Sequence, residues 1–219
     1  MKAASEAQRR MILVGAIIGC GIVTAAPPAF AANFSARETS RGLHVDRAGG
    51  AMGKLSSNGW FRRPGEPMFV YREGGKTVAG VWVGSSDAAM VRSGTTESSP
   101  LIGRIVPAWK DGQLSLTIEP AGGAAVQTTV FQRASGGGAL DRHTSTWEAL
   151  QGSYRATLQA GGKDAGWLSV DVNAEGGARF SGDLPASIPP PLAAAAAAAI
   201  EDEVNYIYGN VSDVNPLMR

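Results

Sequence analysis

One cysteine, Cys20, and two histidines, His44 and His143, are all that the 219 residues contain of those types. A disulfide within the chain needs two cysteines, so burial alone must hold the fold. Two histidines cannot build a metal centre without carboxylates to complete it, and no metal or cofactor is expected. Charge is sparse and balanced, with 20 Lys and Arg against 19 Asp and Glu. That balance gives no support to nucleic-acid binding or to polybasic attachment to a membrane. The chain also lacks G-x-S-x-G, P-loop, H-E-x-x-H, EF-hand and G-x-G-x-x-G patterns, so the sequence names no catalytic residue.

What is present begins with an export signal. Lys2, Arg9 and Arg10 precede an apolar run from Met11 to Val23, followed by Pro27-Pro28 and then Ala29-Phe30-Ala31. A basic region, a short apolar stretch and an A-x-A site predict a secretory signal peptide over residues 1–31, cut before Ala32. The product is periplasmic or secreted. A membrane anchor needs about 20 apolar residues, and this run is shorter, interrupted by glycine and closed by prolines. A second reading takes Ile17-Ile18-Gly19-Cys20 as a lipobox that acylates Cys20, giving an outer-membrane lipoprotein; the apolar stretch after Cys20 is unlike a polar tether. Removing residues 1–31 takes away three basic residues and one acidic one, changes the net charge from +1 to −1 and leaves no cysteine.

Period-two patterning dominates from Leu43 to Leu184. Leu114, Leu116 and Ile118 alternate with Ser115, Thr117 and Glu119, the mark of an antiparallel strand with one face in water. Ser153 to Ala160 and Trp167 to Val172 read the same way. Further strands are expected at Gly42 to Asp46, Asn58 to Arg62, Met68 to Arg72, Thr77 to Val83, Leu101 to Val106, Ala125 to Gln132 and Ala178 to Asp183. Asp111-Gly112 and glycine pairs such as Gly74-Gly75 and Gly161-Gly162 supply the turns between them. Many short strands joined by glycine-rich turns predict an all-β antiparallel barrel or sandwich. The expected organisation is a main β unit over 32–134, a glycine-rich loop over 135–144, and a small three-strand unit over 145–184 packed on the main one, extending or covering it because three strands alone make a poor core.

The segment 185–219 changes character. Pro189-Pro190-Pro191 leads into an alanine run from Ala193 to Ala199, and Ala196, Ile200, Val204 and Ile207 fall on one helical stripe, with Glu201, Asp202 and Glu203 off it. Alanine propensity, N-terminal proline and Gly209 as a stop predict a C-terminal helix from about Leu192 to Tyr208, packed on the β unit. An alanine linker followed by a short strand, Val204 to Tyr208, is the alternative.

Ser40-Arg41-Gly42-Leu43-His44-Val45, Asn58-Gly59-Trp60-Phe61 and Gly65-Glu66-Pro67-Met68-Phe69-Val70 follow one another over about thirty positions. This order resembles the opening of a β-rich module of secreted bacterial proteins, with a GrGf strand, a W-[FY] strand and a G-x-P-x-W hairpin. Phe69 stands where that pattern has tryptophan. The resemblance implies a β fold and export, and it carries over no site residue.

Candidate chemistry is thin. His143, within Asp141-Arg142-His143-Thr144-Ser145, is the one histidine with close acidic and hydroxyl neighbours; sequence neighbours in a loop rarely form a triad, and a solvated loop residue is the better explanation. His44 and Asp46 share the outward face of a strand. Asp87, Glu97, Glu119, Asp171 and Asp183 are available as paired acids, although nothing pairs any two. Trp82 and Trp109 read as core. If Leu168, Val170 and Val172 face inward, Trp167 faces outward beside Ser169 and Asp171, where it either covers a neighbouring strand or lies under the C-terminal helix, or forms a platform for a sugar ring or a protein partner. Trp167, Trp60 and Trp147 are the candidate ligand-binding residues. The sequence therefore predicts an exported, non-catalytic β protein that binds a glycan or protein partner, or has a structural role, at the bacterial envelope. A hydrolase of envelope polymers and an oligomeric scaffold joined through the C-terminal helix are the alternatives.

Overall fold

Alternating burial along each strand sets the architecture. Leu114, Leu116 and Ile118 are at most 1% exposed, while the residues between them stay partly open to solvent. A computed structural model describes residues 32–39, 42–48, 53–58, 63–84, 88–174 and 177–214. The predicted signal peptide, Cys20 and Trp60 lie outside the described residues.

The strands are β1 (Phe34–Thr39), β2 (Gly42–Arg47), β3 (Gly53–Ser57), β4 (Phe69–Glu73), β5 (Lys76–Val83), β6 (Ala89–Arg92) and β7 (Leu101–Lys110). There follow β8 (Gln113–Pro120), β9 (Val126–Thr128), β10 (Gln132–Arg133), β11 (Gly152–Ala160), β12 (Lys163–Val172) and β13 (Ala178–Asp183). A short helix α1 (Trp147–Leu150) precedes β11, and a long helix α2 (Pro190–Val214) follows β13. Pairing is antiparallel throughout. Strands β1 to β9 pair in sequence order, β13 pairs with β1, and β9 pairs with β11, which closes a barrel of twelve strands. Strand β10 pairs with β11 beyond the end of β9.

The expected strand from Ala125 to Gln132 is thus split in two, with Phe131 turned into the core between the pieces. Strands β11 to β13 belong to the same continuous wall: of the two arrangements expected, the second piece extends the first and does not cover it, since three strands alone would bury too little. Three strands were not expected. β3 falls in the spacer before Asn58, where a strand was expected from Asn58 onward, and Asn58 itself lies just past β3. β1 and β6 are short and carry charged residues that dilute the apolar signal. The two-residue loops Asp111-Gly112, Gly74-Gly75 and Gly161-Gly162 all have positive φ at both positions, the geometry that matches strand twist in a tight hairpin.

The outward face is polar: Ser35, Arg37, Lys54, Arg104, Ser115, Thr117, Arg155, Thr157 and Arg179 all lie opposite buried neighbours. A barrel facing lipid presents an apolar band about 25 Å tall there.

The lumen explains the tail. Eight strands close around an interior that side chains fill, and twelve leave a wider bore. Helix α2 occupies it. Leu192 to Ala197 are each at most 2% exposed, and the helix packs against inward residues of β2, β3, β5, β6, β7, β8 and β13. The expectation of a helix holds, and its place is corrected: it threads the barrel and does not lie on the outside. An alanine helix is slim on every side, which suits a space walled all round. Gly103 on β7 completes the fit, since a Cβ there would lie 2.8 Å from the Leu192 side chain. At the helix entrance the inward Arg47 donates to the carbonyl oxygens of Ile188 and Pro185.

Overpacking tests this arrangement. Leucine is nearly as good a helix former as alanine, so Ala194→Leu measures space alone. It should cost about 1–3 kcal/mol, lowering the melting temperature by about 2–4 °C for each kcal/mol in a chain of this size. An unchanged melting temperature would take the helix out of the lumen.

Candidate functional site

The helix does not fill the bore evenly. Towards the upper end, where β1 and β7 finish, Trp109 on β7 donates its indole N–H to Glu203 of α2 at 2.9 Å. Mainly between α2 and β1 to β5, a cavity of about 730 Å³ remains. Leu43, Leu55, Met68, Phe69 and Val81 line its wall side, and Ala195, Ala198 and Ala199 its helix side. Small helix residues facing large wall residues leave this space.

Its polar groups are unequal in kind. Among the described lining residues every ionisable side chain is acidic: Glu38, Glu201, Asp202 and Glu203. Glu38 shares the inward face of β1 with Phe34 and Ala36, and Glu201 reaches it from the helix within hydrogen-bonding contact. Burial pushes the Glu201 carboxyl up to about 7; the charge of Glu38, the hydrogen bond with it and the charge of Asp202 all act in the same direction. Two carboxylates in contact hold one proton between them far more readily than either would alone. Residues two apart on a helix point to nearly opposite sides, and β1 and β7 stand six places apart around the ring. The upper part of α2 is therefore braced across the bore, through Glu203 to Trp109 on one side and through Glu201 to Glu38 on the other.

The residues singled out from sequence lie elsewhere. Trp167 does face outward, half-buried, but the Arg155 guanidinium covers its ring at 4.2 Å from the centroid and its indole N–H is buried without a partner. That face of the ring is taken. Trp147 opens α1. His143 sits in an exposed loop, its backbone N–H donating to Asp141 at 2.7 Å, the geometry of a local turn. His44 and Asp46 lie on the outward face of β2. Of the five acids, Asp87 lies outside the described residues. Glu119 pairs with Arg104, Asp183 accepts from Asn33 at 2.8 Å, and Glu97 and Asp171 are exposed at separate places, so none of these four contributes to the cavity. Trp82 is 8% exposed, yet it packs on the outside of the wall beneath the loop of Gly65, to whose carbonyl its N–H donates. Among the described residues no three His, Cys, Asp or Glu converge as a metal site.

The cavity acids were read from sequence as the solvent side of the helix, and Glu38 drew no attention. An acid in the inward register of Phe34 and Ala36 was the available signal. No known protein family, curated protein or solved structure matches the chain. By architecture it is a twelve-stranded antiparallel barrel with its own helix in the lumen.

The raised Glu201 carboxyl sets a sign for stability. In the unfolded chain this acid loses its proton near its ordinary value, 4.5, and in the folded protein near 7. The folded state therefore binds more protons between those values, and this contribution to stability fades as pH rises from about 4.5 to 7. The melting temperature should fall across that window, and Glu201→Gln should flatten the fall. A wild-type profile that rises over the same range would remove the shared proton.

Proposed function

We propose that the protein is an exported, non-catalytic binding protein that admits a small, mainly apolar molecule into the upper mouth of its barrel. The observation that carries this is the cavity between α2 and the wall, about 730 Å³ in volume and lined by Leu43, Leu55, Phe69 and Val81 with a few polar groups. Size and lining match small-molecule sites, which span about 300–1,000 Å³ and are largely apolar. The polar outer wall suits a barrel working in water, and the leader pattern together with the likeness of residues 40–70 to secreted modules supports the periplasm or beyond.

The alternatives have less behind them. Glycoside hydrolysis needs two carboxyl groups at least about 5 Å apart to flank the bond, whereas Glu38 and Glu201 are in hydrogen-bonding contact. No histidine stands among the described lining residues to activate Ser56 or Ser57. The stripe of Ala196, Ile200, Val204 and Ile207 is buried inside the barrel, which leaves it no surface for joining copies.

A neutral, environment-sensitive apolar dye should bind with one-to-one stoichiometry. Ala198→Phe, which fills the cavity from the helix side, should weaken it at least tenfold with little change in melting temperature. Absence of saturable binding, or binding indifferent to this substitution, would count against the reading. The export part has its own check: sequencing of the mature protein should start at Ala32, and a lipid on Cys20 would replace that processing.

A further inference from the structure

The cavity's electrostatics go further than its shape. Its wall is apolar, but the ionisable groups that face it are acids from every described element that supplies one: Glu38 from β1, and Glu201, Asp202 and Glu203 from α2, of which Glu203 is held by Trp109. Glu38 and Glu201 meet at the rim, where apolar lining gives way to solvent. An anionic ligand placed here would add a further negative charge to carboxyls that already repel one another. Calcium and magnesium take six or more oxygen ligands and zinc about four N, S or O ligands, and no three His, Cys, Asp or Glu converge as a metal site among the described residues. A single ammonium group satisfies both constraints. It is monovalent, donates up to three hydrogen bonds, and replaces one proton between two carboxylates without change of net charge.

We infer that the cavity selects molecules bearing a protonated amine on an apolar tail, the ammonium seated between Glu38 and Glu201 at the rim. This rests on the binding role proposed above. The tail lies along Leu43, Leu55 and Phe69, and the ammonium donates to the two carboxylates. Where Glu201 is protonated, its proton leaves to solvent as the ammonium binds, so binding of the amine is linked to release of one proton. Affinity for the amine therefore rises with pH until Glu201 is ionised, and affinity for a neutral ligand of the same length does not.

Calorimetric titration of the full chain with octylamine, octanol and octanoate between pH 5.5 and 8.5 tests this. At pH 8 octylamine should bind at least tenfold more tightly than octanol, with octanoate weakest. From pH 7 down to 5.5 the octylamine affinity should fall towards tenfold per pH unit, the slope for one linked proton. The heat should vary with the ionisation enthalpy of the buffer, as proton release demands. Glu201→Gln and, separately, Glu38→Gln should reduce the octylamine-to-octanol ratio at least tenfold and abolish the slope. Equal binding of octylamine and octanol at every pH, or preference for octanoate, would overturn the inference and leave the binding role standing. If none of the three binds, the binding role itself fails.

Discussion

Everything in this structure depends on filling a bore that a twelve-stranded wall makes too wide for its own side chains. The answer is a helix whose width is kept to a minimum. Along Leu192 to Ala197 almost every residue is alanine, and each is buried on all sides. Where the wall still stands too close, Gly103 gives way to Leu192. Where helix and wall draw apart, between Ala198 and Leu55, space remains. Core and cavity are thus the same fitting problem solved to different degrees along one axis.

Polar contacts then fix the helix at both ends. Arg47 holds the turn that leads into it, through carbonyl oxygens that the helix itself does not use. Near the mouth, Trp109 and Glu203 form a charge-assisted bond. On the facing side Glu201 meets Glu38, and burial keeps its carboxyl protonated to higher pH than an ordinary glutamate.

The strands were legible because period-two alternation survives wherever one face is buried and the other wet, as in Gln113–Pro120. Barrel closure was not, since the pairing of β9 with β11 and of β13 with β1 joins segments that no local pattern links. The alanine run announced a helix through propensity, but seven consecutive alanines erase the difference between a buried and an exposed face. Nothing in Ala193 to Ala199 distinguishes a lumen from a surface. The acid site was hidden for a related reason. Glu201 looked solvated because it stood off the apolar stripe, and Glu38 lay beside Arg37 in a strand whose charges diluted its apolar alternation. Trp167 drew attention because it faced outward, which it does; what sequence could not supply was Arg155 lying across it.

The helix that fills the bore follows all thirteen strands in chain order. Synthesis runs in the same direction, so the wall is made before its filler. Until α2 arrives, Phe34, Leu55, Ile105, Leu116 and Phe180 face a hollow with nothing to cover them. The ring is then a vessel without contents, open to water and to chaperones. Cooperative folding must wait for the final segment, and contacts between α2 and β2 or β3 span most of the sequence, which slows assembly. A chain cut short before Ala193 would lack what its other hydrophobic residues are shaped around.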